Sequence, residues 1–206
     1  MKCIASIMKQ ILKALAFLHA RGVAHRDVKL ENIVLDKADP MAIAKLIDFG
    51  IALEAKDYNE KSFEEHSGTV FYMAPEIFGG KHDFKCDIWS LGIVLYVFLM
   101  GEIPFKGKTY DEVKRKICSK NIEFEGPKWN INPMVINFLK KLLEKDPSKR
   151  YSATQALQDP FIKKYCPEEN ITVSIIEQCL ALKPKSSVEA LFSGVEQYQL
   201  RYNSVQ

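Results

Sequence analysis

The chain has few of the features that mark secreted or membrane-spanning proteins. Its five cysteines are odd in number and include no C-x-x-C pair, which favours reduced thiols in an intracellular protein. No signal peptide is predicted, because Lys9 and Lys13 interrupt the apolar positions near the N-terminus. The most apolar run, 88–100, is too short to cross a bilayer and is typical of a buried core helix. We therefore expect a cytoplasmic protein, with the nucleus left open, that has no membrane partner.

An excess of charge of one sign is also lacking. The net charge is +3, and the basic residues are scattered among acidic ones, so no nucleic-acid partner is predicted. No D-x-D-x-D-G loop is present, and calcium binding by this chain therefore has no support. A length of 206 residues allows one domain with a sizeable core, or one lobe with an appendage.

Two short motifs point to chemistry. The segment from His25 to Asn32, HRDVKLEN, fits the pattern H-R-D-x-x-x-x-N, and Asp48-Phe49-Gly50 follows as D-F-G. Each is weak evidence alone, but their order, with Ala74-Pro75-Glu76 downstream, is strong evidence. Magnesium prefers hard oxygen ligands, and Asn32 and Asp48 supply a carbonyl and a carboxylate.

On these motifs the chain resembles the C-terminal lobe of a eukaryotic Ser/Thr protein kinase. The nearest likeness is to the calcium/calmodulin-dependent group, including the calcium-dependent protein kinases of plants and protists. The resemblance covers residues 1–165 and leaves 166–206 as a C-terminal helical extension of unknown role. It implies that the HRDVKLEN segment, 25–32, is the catalytic loop, and that the fold is mainly α, with a helical bundle that carries a short β-hairpin beside this loop. It also implies ATP- and magnesium-dependent phosphorylation of Ser/Thr residues in protein or peptide substrates, and it leaves open a calcium-linked regulator.

The resemblance also implies roles for individual residues. Asp27 would orient the attacking hydroxyl and accept its proton, and Lys29 would offset charge on the transferred phosphate. A lysine two places after the aspartate is the family's mark of Ser/Thr rather than Tyr specificity. Val28 and Leu30 depart from the commoner Leu and Pro, which leaves the loop plausible. The residues implied for the nucleotide site are Asn32, Asp48, Val34 and Glu31, with Asn32 and Asp48 also holding magnesium.

The roles that the resemblance implies for Val34 and Thr69 each have an ordinary structural alternative. Val34, which the family packs beneath the adenine, is equally compatible with an ordinary core valine. Thr69 lies in GTVFYMAPE, which begins at Gly68 and matches the family's G-T-x-x-Y-x-A-P-E. It is expected to hydrogen-bond Asp27 and Lys29, and the alternative is an ordinary turn hydroxyl.

The segment 51–73 has little periodicity and much polarity, which is typical of a functional loop, and by resemblance it is the activation segment. Arg26 implies an anionic partner there, because an unpaired guanidinium beside the catalytic aspartate would be costly. Glu65 stands three residues before the G-T pair, where many family members carry a phosphothreonine. We predict that Glu65 orders the segment through Arg26. The alternative is a solvated Glu65 with phosphorylation of Ser62 or Ser67.

Other residues are implied to be structural. Glu76 is expected to pair with Arg150 of the closing motif 146–150 and so anchor the end of the activation segment. Asp87 is expected to reach back to the backbone of the catalytic loop. The residues assigned to this class are His25, Phe49, Glu76, Asp87 and Arg150.

Apolar spacing predicts the helices and turn residues divide them. An amphipathic helix carries Ile4 to Leu18 and ends with Gly22 as its cap. The other predicted elements are strands at 33–35 and 44–47 with a turn between them, an all-apolar helix from Asp87 that Gly101 breaks, a helix over 110–119 with Val113 and Ile117 inward, a helix through 135–143, and a short helix over 153–157.

In the C-terminal extension, Ser186 and Glu189 form a capping box ahead of an apolar stripe. This pattern predicts a helix that packs on the lobe or on another domain. The alternative, which is more specific, is that the extension is a regulatory segment that docks in the substrate groove. A calmodulin target would need more basic residues than the extension has.

The sequence contains no G-x-G-x-x-G loop, no V-A-I-K strand lysine and no partner glutamate on a following helix. We therefore expect that the nucleotide-binding lobe of the family is missing and that this polypeptide alone is a poor kinase. The alternative is a non-catalytic, kinase-like binding module. Four intact residues argue against it, since a scaffold has no chemical need for Asp27, Lys29, Asn32 and Asp48 together.

Overall fold

The computed structural model describes residues 1–37, 42–54, 69–80 and 83–167. Its helices and strands are α1 (Lys2–His19), β1 (Val23–Ala24), β2 (Ile33–Leu35), β3 (Ala44–Leu46), β4 (Leu53–Glu54), α2 (Lys85–Met100), α3 (Tyr110–Ser119), α4 (Pro133–Leu142), α5 (Ala153–Leu157) and α6 (Pro160–Tyr165). Short 3-10 helices lie at 30–32, 69–72, 75–79 and 127–129. The predicted mainly helical fold with a short β-hairpin is confirmed.

Helix α2 forms the centre of the fold. Every residue from Cys86 to Phe98 is buried, which is expected of a helix that is apolar on all sides. The helix contacts α1 and α4, and it ends at Gly101, whose φ of 70° only glycine adopts easily. The prediction of a buried core helix that Gly101 terminates is confirmed.

Helix α1 packs on this centre with one apolar face and also contacts α5 and α6. The prediction that Gly22 caps α1 is wrong by two residues. The helix ends at His19, and Ala20 keeps right-handed backbone angles. The N–H groups of Arg21 and Gly22 then bond the carbonyls of Leu18 and His19, and Gly22, with a φ of 74°, turns the chain into β1.

Strands β2 and β3 form the predicted antiparallel hairpin, with Ile33 opposite Leu46 and Leu35 opposite Ala44. A second antiparallel pair, β1 with β4, sets Ala24 opposite Leu53 and was not predicted. These two pairs bracket the segment 25–32, so the HRDVKLEN motif lies between β1 and β2.

The remaining helices follow the apolar pattern. In α3, Val113 and Ile117 are buried, as predicted. Helix α6 was not predicted, and Asp159 caps it by accepting a hydrogen bond from the N–H of Phe161 at 2.9 Å. No helix among the described residues is long and apolar enough to span a membrane. The predicted helix of the C-terminal extension lies outside the described residues.

Candidate active site

Two polar side chains of the segment 25–32 bind the carboxylate of Asp27. Its side chain is mostly buried, and Oδ2 accepts hydrogen bonds from Lys29 Nζ at 2.6 Å and from Asn32 Nδ2 at 2.9 Å. Asn32 Nδ2 also donates to the backbone carbonyl of Asp27 at 2.8 Å. Three of the residues predicted from the HRDVKLEN motif therefore lie in contact. Lys29 and Asn32 orient the Asp27 carboxylate and stabilise its charge through hydrogen bonds.

The backbone of this loop is fixed by Asp87, near the start of α2. The Asp87 carboxylate accepts the N–H of His25 at 2.9 Å and the N–H of Arg26 at 2.8 Å. It also bonds His19 Nε2 at 2.9 Å. Arg26 has a φ of 70°, which costs energy in a non-glycine residue, so these bonds hold a strained conformation just before Asp27. The expectation that Asp87 reaches the catalytic-loop backbone is confirmed.

Asp87 is fully buried, and burial alone would raise the pKa of its carboxyl. The hydrogen bond and charge of His19, together with His25, outweigh burial and lower that pKa below its usual value. The carboxylate is therefore ionised and can accept from both backbone N–H groups at once.

His25 joins the loop to the D-F-G turn. Its Nε2 bonds the carbonyl of Ile47 at 3.1 Å, and its Nδ1 lies 3.3 Å from the N–H of Asp27. Burial lowers the pKa of His25, so a neutral ring with the proton on Nε2 satisfies both contacts. The ring of Phe49 packs edge-on against His25 with 4.8 Å between centroids. His25 and Phe49, which the resemblance assigned to the structural class without naming their partners, therefore contact each other, and His25 also contacts Ile47 and Asp27.

Asp48 follows β3 after one intervening residue, Ile47. The N–H of Ile47 donates to the carbonyl of Asn32 at 2.9 Å, which ties the end of β3 to the residue before β2. Asp48 is exposed, has a φ of 65°, and accepts the N–H of Gly50 through Oδ1 at 3.1 Å. The hairpin therefore brings the backbones of Asn32 and Asp48 to the same end of the sheet. Among the described residues, the two non-glycine residues with positive φ are Arg26, next to Asp27, and Asp48 in the D-F-G turn, so both strained backbones belong to the candidate site.

The donor set fits a magnesium ion. Because the amide nitrogen of Asn32 makes both bonds to Asp27, the carbonyl oxygen is the atom that this side chain can offer a cation. Asp48 adds an exposed carboxylate, and both are hard oxygen ligands. Within the described residues no three His, Cys, Asp or Glu side chains cluster as a metal site. A magnesium ion here would therefore take the rest of its ligands from phosphate oxygens and water, as it commonly does.

The other predicted site residues are placed less fully. Glu31 is exposed and Val34 is half-buried, so neither alternative for Val34 is decided. The backbone of Thr69 belongs to the 3-10 helix 69–72, but its side chain is outside the described residues, as is Glu65. The hydrogen bonds predicted for Thr69 and the contact predicted between Glu65 and Arg26 stay predictions.

The end of the A-P-E segment is anchored as predicted. Arg150 Nη1 and Nη2 lie 2.6 and 2.9 Å from the two carboxylate oxygens of Glu76. A further anchor, which the sequence did not reveal, is the hydrogen bond from Ser90 Oγ to the carbonyl of Tyr72 at 2.8 Å. His19 was also missed, because a histidine in the last turn of a helix is usually explained by the helix dipole alone.

The helical fold, the carboxylate held by a lysine and an asparagine, and the D-F-G turn together define the class of this protein. Residues 1–162 match the family described as protein kinase domain, and the chain belongs to that family.

Its relatives include several kinases with calcium-linked names. Calcium-dependent protein kinase 6 of Plasmodium berghei (strain Anka) is 36% identical over 197 residues, covering 96% of this chain and 13% of that protein. CDPK-related kinase 4 of Arabidopsis thaliana is 33% identical over 206 residues, covering 97% and 34%. CDPK-related protein kinase of Daucus carota is 36% identical over 159 residues, covering 77% and 26%. The chain thus spans about a third or less of the length of these relatives.

Proposed function

We propose that this chain supplies the catalytic loop and metal ligands of a Ser/Thr protein kinase that transfers the γ-phosphate of ATP. The single observation that carries the proposal is the convergence of Lys29 and Asn32 on one oxygen of Asp27. Such an arrangement holds a carboxylate in place with a cation beside it, which is what phosphoryl transfer to a hydroxyl requires.

In the proposed reaction, Asp27 hydrogen-bonds the hydroxyl of the substrate serine or threonine. The hydroxyl oxygen forms the new bond to the γ-phosphorus, the bond from that phosphorus to the departing oxygen of ADP breaks, and the hydroxyl proton passes to Asp27. Lys29 Nζ, 2.6 Å from the carboxylate, is close enough to move between Asp27 and an incoming phosphate oxygen. Lys29 would therefore lower the repulsion between the carboxylate and the phosphate.

Magnesium, when bound, would neutralise phosphate charge and orient the phosphates for in-line transfer. Asn32 would hold it through the side-chain carbonyl and Asp48 through its carboxylate. The backbone bond from Ile47 to Asn32 would keep the two ligands at a constant spacing. The neutral His25, held between Asp27 and Ile47, would maintain the position of the base relative to those ligands.

The substrates and regulation are further parts of the proposal. The lysine two places after Asp27 supports Ser/Thr rather than Tyr specificity by resemblance. Several relatives have calcium in their names, so we propose that the activity is calcium-linked. Since the sequence has no D-x-D-x-D-G loop, a calcium sensor would have to be contributed from outside these 206 residues.

One sequence observation favours the alternative, a kinase-like binding module. The chain contains no glycine-rich loop and no V-A-I-K lysine to cover and hold the ATP phosphates. We propose that these parts are supplied from outside the 206 residues in the active enzyme. The alternative requires instead that no such part exists and that the intact Asp27, Lys29, Asn32 and Asp48 do no chemistry.

The test is to join the glycine-rich lobe of a calcium-dependent protein kinase in frame before Met1 and to measure transfer of labelled phosphate to a Ser/Thr peptide library. We expect magnesium-dependent activity whose kcat falls by about two to four orders of magnitude in Asp27→Asn, because an amide cannot accept the hydroxyl proton. Asp111→Asn, on the exposed face of α3, is the control and should keep wild-type turnover. A folded, active fusion that tolerates Asp27→Asn would reject the role of Asp27 in the proposal, and a folded fusion that transfers no phosphate would favour a binding module.

A further inference from the structure

Gln10 is a buried polar side chain in the middle of α1, where most neighbours on the inward face are apolar. It is 8% exposed. Its Oε1 accepts the N–H of Ala44 at 3.0 Å, and its Nε2 donates to the carbonyl of Ala42 at 3.1 Å. Nε2 also lies 3.3 Å from Ser6 Oγ. A buried amide that satisfies both its acceptor and its donor in this way makes strong, directional contacts.

The two backbone groups belong to the outer edge of the hairpin. In an antiparallel pair, alternate residues of a strand direct their N–H and C=O groups to opposite sides. Ile43 directs its carbonyl toward β2, where it accepts the N–H of Asp36 at 3.1 Å. The carbonyl of Ala42 and the N–H of Ala44 point the other way, toward Gln10 of α1. The Gln10 side chain therefore takes the place of a neighbouring strand along the edge of β3.

The same strand leads to the candidate metal ligand. Ala44 and Asp48 are four positions apart in the sequence, or about 13 Å at the rise of an extended strand. At the far end, the N–H of Ile47 donates to the carbonyl of Asn32, and the carbonyl of Ile47 bonds His25 Nε2. The strand is thus fixed at its start by Gln10 and at its end by Asn32 and His25.

We propose that Gln10 is a positioning residue, which sets the place of Asp48 relative to Asn32 by holding the outer edge of β3 at Ala42 and Ala44. This inference rests on the proposed function, because it gives Asp48 the role of a metal ligand. It predicts that loss of the Gln10 amide loosens the hairpin as far as Ile47 and Asp48, rather than only at the two residues that Gln10 touches.

The adjacent residue offers a matched control. Lys9 is also a buried polar side chain of α1, at 9% exposure, and its Nζ donates to the carbonyl of Cys166 at 2.7 Å. Lys9→Met and Gln10→Met each replace one buried polar side chain in the same turn of the helix. Only Gln10→Met removes the contacts to the hairpin, so a general loss of stability would affect both variants alike.

The first measurement is amide hydrogen exchange in the 206-residue chain, with the rate at Ile47 divided by the rate at the core residue Leu91. We expect Gln10→Met to raise this ratio by about tenfold or more, and Lys9→Met to leave it within about twofold. Faster exchange at Ala44 alone, with an unchanged ratio at Ile47, would overturn the inference. If Gln10→Met does not fold, Gln10→Glu, which keeps an acceptor for Ala44 but no donor for Ala42, is compared with Lys9→Met in the same way.

The second measurement is the Mn²⁺ concentration that half-broadens the amide resonances of Asn32 and Asp48. We expect it to rise by about fivefold or more in Gln10→Met and to stay unchanged in Lys9→Met, because misplaced ligands chelate a cation less well. Equal midpoints in the two variants would count against Gln10 as a positioning residue. A wild-type chain in which Mn²⁺ broadens neither resonance would contradict the metal ligands of the proposed function, and the exchange ratio would still decide the role of Gln10.

Discussion

Arg150 and Glu76, 74 residues apart in the sequence, form a two-point ion pair with distances of 2.6 and 2.9 Å. The side chains are 0% and 6% exposed, respectively. Arg150 also donates to the backbone carbonyls of Glu144 at 2.7 Å and Lys85 at 2.9 Å. One guanidinium therefore joins the A-P-E segment, the start of α2 and the chain after α4, and its hydrogen-bonding groups are well satisfied for a buried cation.

Arg150→Ala should destabilise the chain by about 3–5 kcal/mol, because it leaves the Glu76 carboxylate buried without its partner. Lys149→Ala is the matched control. Lys149 is 73% exposed and pairs with Asp146 only at 3.6 Å, so its loss should change the free energy of unfolding by no more than about 0.5 kcal/mol. Urea denaturation of both variants checks this, and equal midpoints would show that the ion pair contributes little.

Gly92 should not tolerate alanine, although it lies inside α2. A Cβ there would come within 2.7 Å of Leu143 Cδ2 and 3.0 Å of Leu142 Cβ. In an exposed helix the change would stabilise by about 1 kcal/mol, but here overpacking should destabilise by about 1–3 kcal/mol. Thermal unfolding of Gly92→Ala against Gly79→Ala, where nothing lies within 4 Å, measures the difference. A Gly92→Ala chain at least as stable as Gly79→Ala would mean that the contact between α2 and the end of α4 relaxes freely.

Local patterns were enough to predict most of the helices. The spacing of apolar residues located α1 and α3, and Gly101 marked the end of α2, because periodicity and backbone preference act within a few residues. The β2–β3 hairpin was predictable for the same reason. Strands β1 and β4 have two residues each, so no alternation could identify them, and their pairing depends on the fold that brings them together.

In the candidate site, the motif residues could be named from the sequence, but the residues that hold them could not. His19 bonds Asp87 across 68 positions, and Gln10 bonds Ala44 across 34. Neither contact leaves a pattern in the residue types, because a histidine in a last turn and a glutamine in a helix are both common. Glu76 and Arg150 were paired correctly only because a family motif contains each of them.

Cys86 should resist thiol reagents, whereas Cys118 should react readily. Cys86 is 5% exposed, and burial raises the pKa of its thiol well above the usual value, so little thiolate forms at neutral pH. Cys118 is exposed. Site-resolved mass spectrometry after brief alkylation should find Cys118 modified and Cys86 modified only when denaturant is added. Rapid alkylation of Cys86 in the folded chain would show that α2 opens near its N-terminus, and Cys118→Ser should leave the protection of Cys86 unchanged.

Asp87 should make the stability of the chain sensitive to acid. Its pKa is lower in the folded chain than the usual value of 3.8, so its ionised form stabilises the fold fully above that value, and this stabilisation is lost as the pH falls through the lower, folded pKa. In Asp87→Asn, one side-chain NH₂ would face a backbone N–H of His25 or Arg26, which should destabilise the variant at neutral pH.

The advantage of the wild type over Asp87→Asn should therefore be large at about pH 5 and should shrink toward about pH 3. Urea unfolding of both proteins at several pH values gives this difference directly. Burial lowers the pKa of His25, so protonation of this residue in acid also destabilises the fold. To separate that effect from the effect of Asp87, the same comparison is made between His25→Asn and the double variant His25→Asn/Asp87→Asn. A difference that is independent of pH in both pairs would show that the Asp87 carboxylate is not what holds the backbone before Asp27.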